Sequence, residues 1–136
     1  MYERHRFGSW AEDTAHDYLT KQGLVLVERN FRYKKMGEID LIMTHQHQIT
    51  HTLPTLVFVE VRARKDNDLL RCLESITPFK RHKLTKTALI YLTEKKILYK
   101  QPCRFDVVAI CDYNNVIKIH WIKGAFEIND RYATSH

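Results

Sequence analysis

The sequence predicts an α/β domain whose mixed central sheet is flanked by helices. Two segments carry apolar residues at helical spacing, and five shorter ones are apolar or alternating in the manner of strands. They come in the order helix, three strands, helix, two strands. No internal repeat, low-complexity tract or long Pro/Gly/Ser linker divides the 136 residues, a length that suits one core. Residues 1–136 are therefore read as a single domain.

The first helix is expected to start at Ser9, where Ser9 and Glu12 form an S-x-x-E capping box. Ala11, Ala15, Tyr18 and Leu19 follow on one face, and Gly23 stands where a helix-ending glycine belongs. Leu24 to Tyr33 is rich in apolar and β-branched residues and reads as a strand. After Gly37 a second strand is expected over Glu38 to Met43, then a polar connection over 44–55. Leu56 to Ala63 is the clearest strand: Val57, Val59 and Val61 share one face, Leu56, Phe58, Glu60 and Arg62 the other. Thr77-Pro78 is a helix start, with Thr as cap and Pro at the first helical position. Leu84, Ala88, Tyr91 and Leu92 give that helix its apolar face. Phe105 to Ile110 is apolar on both faces except at Asp106, as a central strand would be, and Val116 to Ile122 reads as the last strand. Trp10, Tyr18, Tyr91 and Trp121 are spaced for packing, and none is assigned to base stacking.

Composition excludes several classes. No stretch has the length of uncharged apolar sequence that a membrane span needs, and the basic N-terminus lacks the apolar core of a secretory signal. Cys72, Cys103 and Cys111 are odd in number and form no C-x-x-C pair. They fit small apolar residues in a reducing cytoplasm better than a disulfide framework or thiolate zinc site. Charge is segregated within a net +6: residues 38–61 hold three acids and no base, whereas 62–104 hold twelve bases and four acids. The pattern suits a carboxylate metal site beside a surface that attracts phosphates, and equally a solvated basic face.

Glu38 and Asp40 lie two apart on a strand, so their side chains share a face, as do Glu60 and Arg62 on the next strand. Antiparallel pairing of the two would bring three carboxylates together. Carboxylate oxygens are the ligands that Mg²⁺ and Mn²⁺ take, usually alongside water and a phosphate. By spacing alone, an exposed strand face with local ion pairs is the competing account.

Gly37-Glu38-Ile39-Asp40-Leu41-Ile42 and Phe58-Val59-Glu60-Val61-Arg62-Ala63-Arg64 resemble the YraN family of uncharacterised bacterial proteins. Matches continue through Glu12, Ala15, Tyr18, Leu19 and Gly23, through Arg29-Asn30-Phe31-Arg32, and through Lys80, Lys83, Leu84, Ala88 and Leu92. They end with Arg104-Phe105-Asp106-Val107-Val108 and Ala125-Phe126, so the resemblance covers residues 8–126. The family is a branch of the PD-(D/E)XK nuclease superfamily and is similar to archaeal Holliday-junction resolvases. The resemblance implies a restriction-endonuclease-like fold and a Mg²⁺- or Mn²⁺-dependent endonuclease that hydrolyses DNA phosphodiester bonds, branched or structured DNA among its substrates. It makes Asp40 and Glu60 the metal ligands, Glu38 an additional acid, and Glu12 an acid reaching in from the first helix. Glu12 is also accounted for by the capping box. Resolvase-like relatives act as dimers, so a homodimer is implied as well.

The pattern departs from the superfamily at Arg62, where lysine is usual. Arginine keeps the charge and can donate two hydrogen bonds to a phosphate, but cannot serve as a base. Arg62 is expected to clamp phosphate or transition-state charge, with neutralisation of Glu60 as its plainer role. Lys65, just past the strand, is a candidate for the missing ammonium. Arg64, Lys65, Lys80, Arg81, Lys83 and Lys86 form the expected nucleic-acid-binding set, the last four at or near a helix N-terminus whose positive end suits phosphate. His45, His47 and His51 have spacing that can bind Zn²⁺, though a polar hairpin tip is the commoner use. Two other classes stay open: a nucleic-acid-binding module that no longer cuts, and a protein-interaction domain.

Overall fold

The structure, a computed structural model, describes residues 2–46 and 53–127. Helix α1 (Tyr2–Lys21) precedes three antiparallel strands, β1 (Leu24–Tyr33), β2 (Gly37–His45) and β3 (Thr55–Arg64). A crossover through α2 (Leu69–Glu74) and α3 (Pro78–Glu94) leads to β4 (Cys103–Tyr113), which runs parallel to β3. Strand β5 (Val116–Phe126) pairs antiparallel with β4, and the sheet order is β1-β2-β3-β4-β5. The mixed sheet flanked by helices is therefore present. No described helix is long and apolar enough to cross a membrane.

Each face of the sheet buries one helix. Ala11, Ala15 and Leu19 of α1 pack on Leu24, Leu41, Met43, Val57, Val59, Val108 and Ile110. Leu84, Ala88, Tyr91 and Leu92 of α3 pack on Phe31, Ile39, Ile42, Leu56, Phe58 and Phe105. The predicted apolar faces of both helices are the buried ones. Gly23 ends α1 with φ +99°, in the left-handed region that glycine enters without a Cβ penalty. Thr77 caps α3 by accepting a hydrogen bond from the Lys80 N–H at 3.2 Å.

Two expectations need correction. Helix α1 begins well before Ser9, so Ser9 and Glu12 are interior residues and form no capping box. The crossover also contains α2, which the sequence reading left out. It is six residues long and too short to show periodicity, and its cue is Asp68, which accepts from the Arg71 N–H at 3.0 Å.

Asp106 interrupts the apolar run of β4 because it is fully partnered. It has no exposed surface and accepts from Arg104 Nε (2.9 Å), Trp121 Nε1 (2.9 Å) and the Gly124 N–H (3.0 Å), tying β5 to β4. Trp10, Tyr18 and Trp121 pack against the α1-side core and Tyr91 lies in the α3-side core, as their spacing suggested. Cys72 and Cys111 are buried and Cys103 half-buried; all three are free thiols pushed up by burial, which suits inert packing residues.

Candidate functional site

The site lies where the sheet departs from regularity. Leu41 of β2 packs on the α1 side, yet Ile39, two residues earlier, packs on the α3 side. A regular strand would put both on one face, so β2 changes phase at Asp40. Strand β1 changes phase on the same rung. Arg29 reaches α1, whereas Phe31 enters the α3-side core, and Asn30 between them has φ +55°. The β2–β3 ladder runs from His45↔Thr55 to Leu41↔Val59. Beyond it the Asp40 carboxylate, not a backbone carbonyl, accepts the Val61 N–H at 2.8 Å. The two strands are thus splayed at the motif, and acidic side chains occupy the opening.

Four predicted acids meet there. One oxygen each from Glu12, Glu38 and Asp40 lies within 4.8 Å of the others, and all three residues are half-buried. Glu60, 3% exposed, lies against Asp40 and shares a hydrogen bond with it. Burial pushes the Asp40 carboxyl well above the usual carboxylate range, and the charge and hydrogen bond of Glu60 push it further. The Val61 N–H opposes that rise, and Glu12 adds to it. The tight three-oxygen group therefore includes Glu12 from α1, while Glu60 stands beside it.

Two cations share one oxygen of Glu60. Arg62 Nη2 lies 3.1 Å and Lys80 Nζ 3.6 Å from Oε2. Arg62 thus makes the expected pair with Glu60, and its Nε is buried with no hydrogen-bond partner among the described residues. Lys80 comes from the first turn of α3, so the ammonium beside the acids is Lys80 and not Lys65. The Lys65 ammonium instead sits over the Phe7 ring, 5.2 Å from its centroid.

The rest of the basic set is dispersed. Arg64 is held by Asp66 through Nε (3.0 Å) and Nη2 (2.7 Å). Arg81 lies over Phe126 at 5.6 Å and Lys83 over Phe79 at 5.5 Å, while Lys86 borders a groove with Tyr33, Met36 and Ile90. His45 ends β2 with Nδ1 2.9 Å from Arg104 Nη2; His47 and His51 lie outside the described residues.

Reading the sequence alone gave no role to Arg29, Asn30 or Arg32, which border the acids. Arg29 donates to Asp13 Oδ1 (2.8 Å) and Glu12 Oε1 (3.4 Å), and Arg32 pairs with Glu38. The Asn30 amide, oriented to satisfy both neighbours, donates to Glu12 Oε1 and Glu38 Oε1, each at 2.9 Å. With Ser9, these residues line a cleft of about 580 Å³, within the size range of ligand sites. The only sequence signal was their place in the Arg29-Asn30-Phe31-Arg32 match.

Comparison with known proteins places the chain in one family. The model of uncharacterised protein family UPF0102 matches residues 11–110. A UPF0102 protein of Coxiella burnetii (strain RSA 331 / Henzerling II) is 46% identical over 123 residues, 90% of this chain and 93% of the relative. One of Herminiimonas arsenicoxydans is 44% identical over 126 residues, 91% and 89% of the two chains. One of Shewanella sp. (strain MR-4) is 42% identical over 119 residues, 88% and 97%. With that coverage and identity, the chain belongs to the UPF0102 family, the YraN family its motifs resemble.

Proposed function

We propose that this protein is a divalent-metal-dependent endonuclease of the PD-(D/E)XK type, acting on DNA. The observation that carries the reading is the convergence of Glu12, Glu38 and Asp40 at the splayed β2 strand, with Glu60 against them and two cations at its edge. The donors fit Mg²⁺ or Mn²⁺: they are carboxylate oxygens, and the burial and mutual repulsion that push Asp40 up are costs a bound divalent ion offsets. Asp40 and Glu60 would hold the ion, with Glu38 and Glu12 as further acids. A metal in such a site supplies Lewis acidity at the phosphate and lowers the pKa of its water.

The chain's own residues do the remainder. Arg62 offers planar donors to a phosphate oxygen and steadies charge that grows there in the transition state. Lys80 adds an ammonium at the same carboxylate, and the α3 N-terminus adds its positive end. Hydrolysis joins the water oxygen to phosphorus, breaks one P–O ester bond and leaves a phosphate and a hydroxyl. Lys86, further along α3, borders the groove beside Tyr33 and Met36 and offers a further ammonium to phosphate.

One observation favours a second reading, a nucleic-acid-binding module that does not cut. Glu60 is already neutralised by Arg62 and Lys80 without an ion. The two readings separate on labelled single-stranded, duplex, flapped and four-way-junction DNA incubated with Mg²⁺, Mn²⁺ or EDTA. The nuclease reading expects metal-dependent cutting that falls at least about 100-fold in folded Asp40→Asn and Glu60→Gln proteins. Binding without cutting by wild type would replace it with the second reading.

A further inference from the structure

Asn30 occupies a position that strand geometry alone does not explain. It sits opposite Asp40, between the Arg29↔Leu41 and Phe31↔Ile39 pairs, at φ +55°. Asparagine tolerates that region better than most side chains, but glycine enters it freely, so the backbone by itself calls for glycine. The side chain supplies the missing reason. Its amide donates one N–H to Glu12, on α1, and the other to Glu38, on β2.

We infer that Asn30 is the positioning residue of the metal site, a neutral clamp that holds the Glu12 and Glu38 carboxylates in place for a divalent ion. The left-handed turn at Asn30 is what aims the amide at both acids, because the same turn sends Phe31 to the opposite core. Two carboxylates brought together by separate elements repel, and an amide between them satisfies an acceptor on each while adding no charge. Arg29 reaches the same Glu12 oxygen at a longer 3.4 Å and is shared with Asp13, while Arg32 pairs with the other oxygen of Glu38, so Asn30 alone bridges the two acids among these three residues. The inference rests on the metal-site reading proposed above.

The test measures Mn²⁺ binding by titration calorimetry, and metal-free melting temperature, for wild type, Asn30→Gly and Asn30→Asp. Asn30→Gly keeps the left-handed backbone and removes the amide. Its metal-free melting temperature should fall only modestly, because the eased left-handed backbone offsets part of the two lost hydrogen bonds, while Mn²⁺ affinity falls about 10- to 100-fold, the usual effect of losing a residue that orients ligands. Asn30→Asp keeps the shape but sets a third carboxylate between two, so its metal-free melting temperature should fall below wild type. Undiminished Mn²⁺ affinity in Asn30→Gly, or an unchanged metal-free melting temperature in Asn30→Asp, would overturn the clamp and leave the metal site standing. A wild-type protein that binds no Mn²⁺ would overturn both.

Discussion

At Asp40, burial and neighbouring charge act in the same direction. The folded protein holds the Asp40 proton to higher pH than the unfolded chain, whose aspartate titrates near about 3.9. The contribution of this group to stability is therefore greatest below the unfolded value and is lost as pH rises through the folded one. Asn at position 40 can still accept the Val61 N–H and carries no charge. Asp40→Asn should stabilise the metal-free protein by about 1 kcal/mol at neutral pH, the scale common when a strained functional site is relaxed. The gain should shrink toward pH 4, and Mn²⁺ should narrow it by stabilising wild type alone. Denaturant unfolding in EDTA across pH measures this, and parallel curves for the two proteins would contradict it. Asp40 and Glu60 were legible through the family motif: alternation only grouped Glu38 with Asp40 and Glu60 with Arg62, and the resemblance singled out one acid of each strand. Asn30 was not, and Lys80 was named only as a nucleic-acid contact: Asn30 meets Glu12, and Lys80 meets Glu60, only after separate elements pack together.

The elements set the site by where they fail to be ideal. The phase changes at Asn30 and Asp40 are invisible to a reading that assumes regular strands, which is why the sequence predicted convergence of Glu38 and Asp40 but not the splayed ladder that makes room for it. Strand positions were read within a few residues because turn residues and apolar runs bound them. The start of α1 was misplaced because Ser9 and Glu12 match a capping box inside a longer helix. Gly37 has a role at this scale. A Cβ there would meet Thr87 Oγ1 at 2.9 Å, so the start of β2 packs on α3 only as glycine. Gly37→Ala should cost about 1–3 kcal/mol by overpacking. Thr87→Ala in the same background should return part of it, since the clash is with that hydroxyl. Chemical denaturation of the two single variants and the double variant measures the coupling.

Over the whole molecule, acid and base are separated: the carboxylates collect at one opening in the sheet, and the crossover that follows β3 carries the excess of Lys and Arg. Electrostatic attraction of this kind makes DNA affinity fall with salt. Lys86→Ala should lower the slope of log affinity against log salt by about one if its ammonium meets a phosphate. Arg64→Ala should change the slope less, because Asp66 already holds that guanidinium with paired hydrogen bonds. Equal slopes for the two variants would remove α3 from the DNA path. Under the proposed function, the acids gathered at Asp40 hold a divalent ion. Anomalous diffraction from crystals soaked in Mn²⁺ tests it most directly. A metal at this site gives a peak at about 2.0–2.4 Å from carboxylate oxygens of Asp40 and of at least one of Glu12, Glu38 and Glu60, a distance set by oxygen ligation of such ions. A peak at the histidines or elsewhere, or none in crystals whose acids are free of lattice contacts, would contradict it.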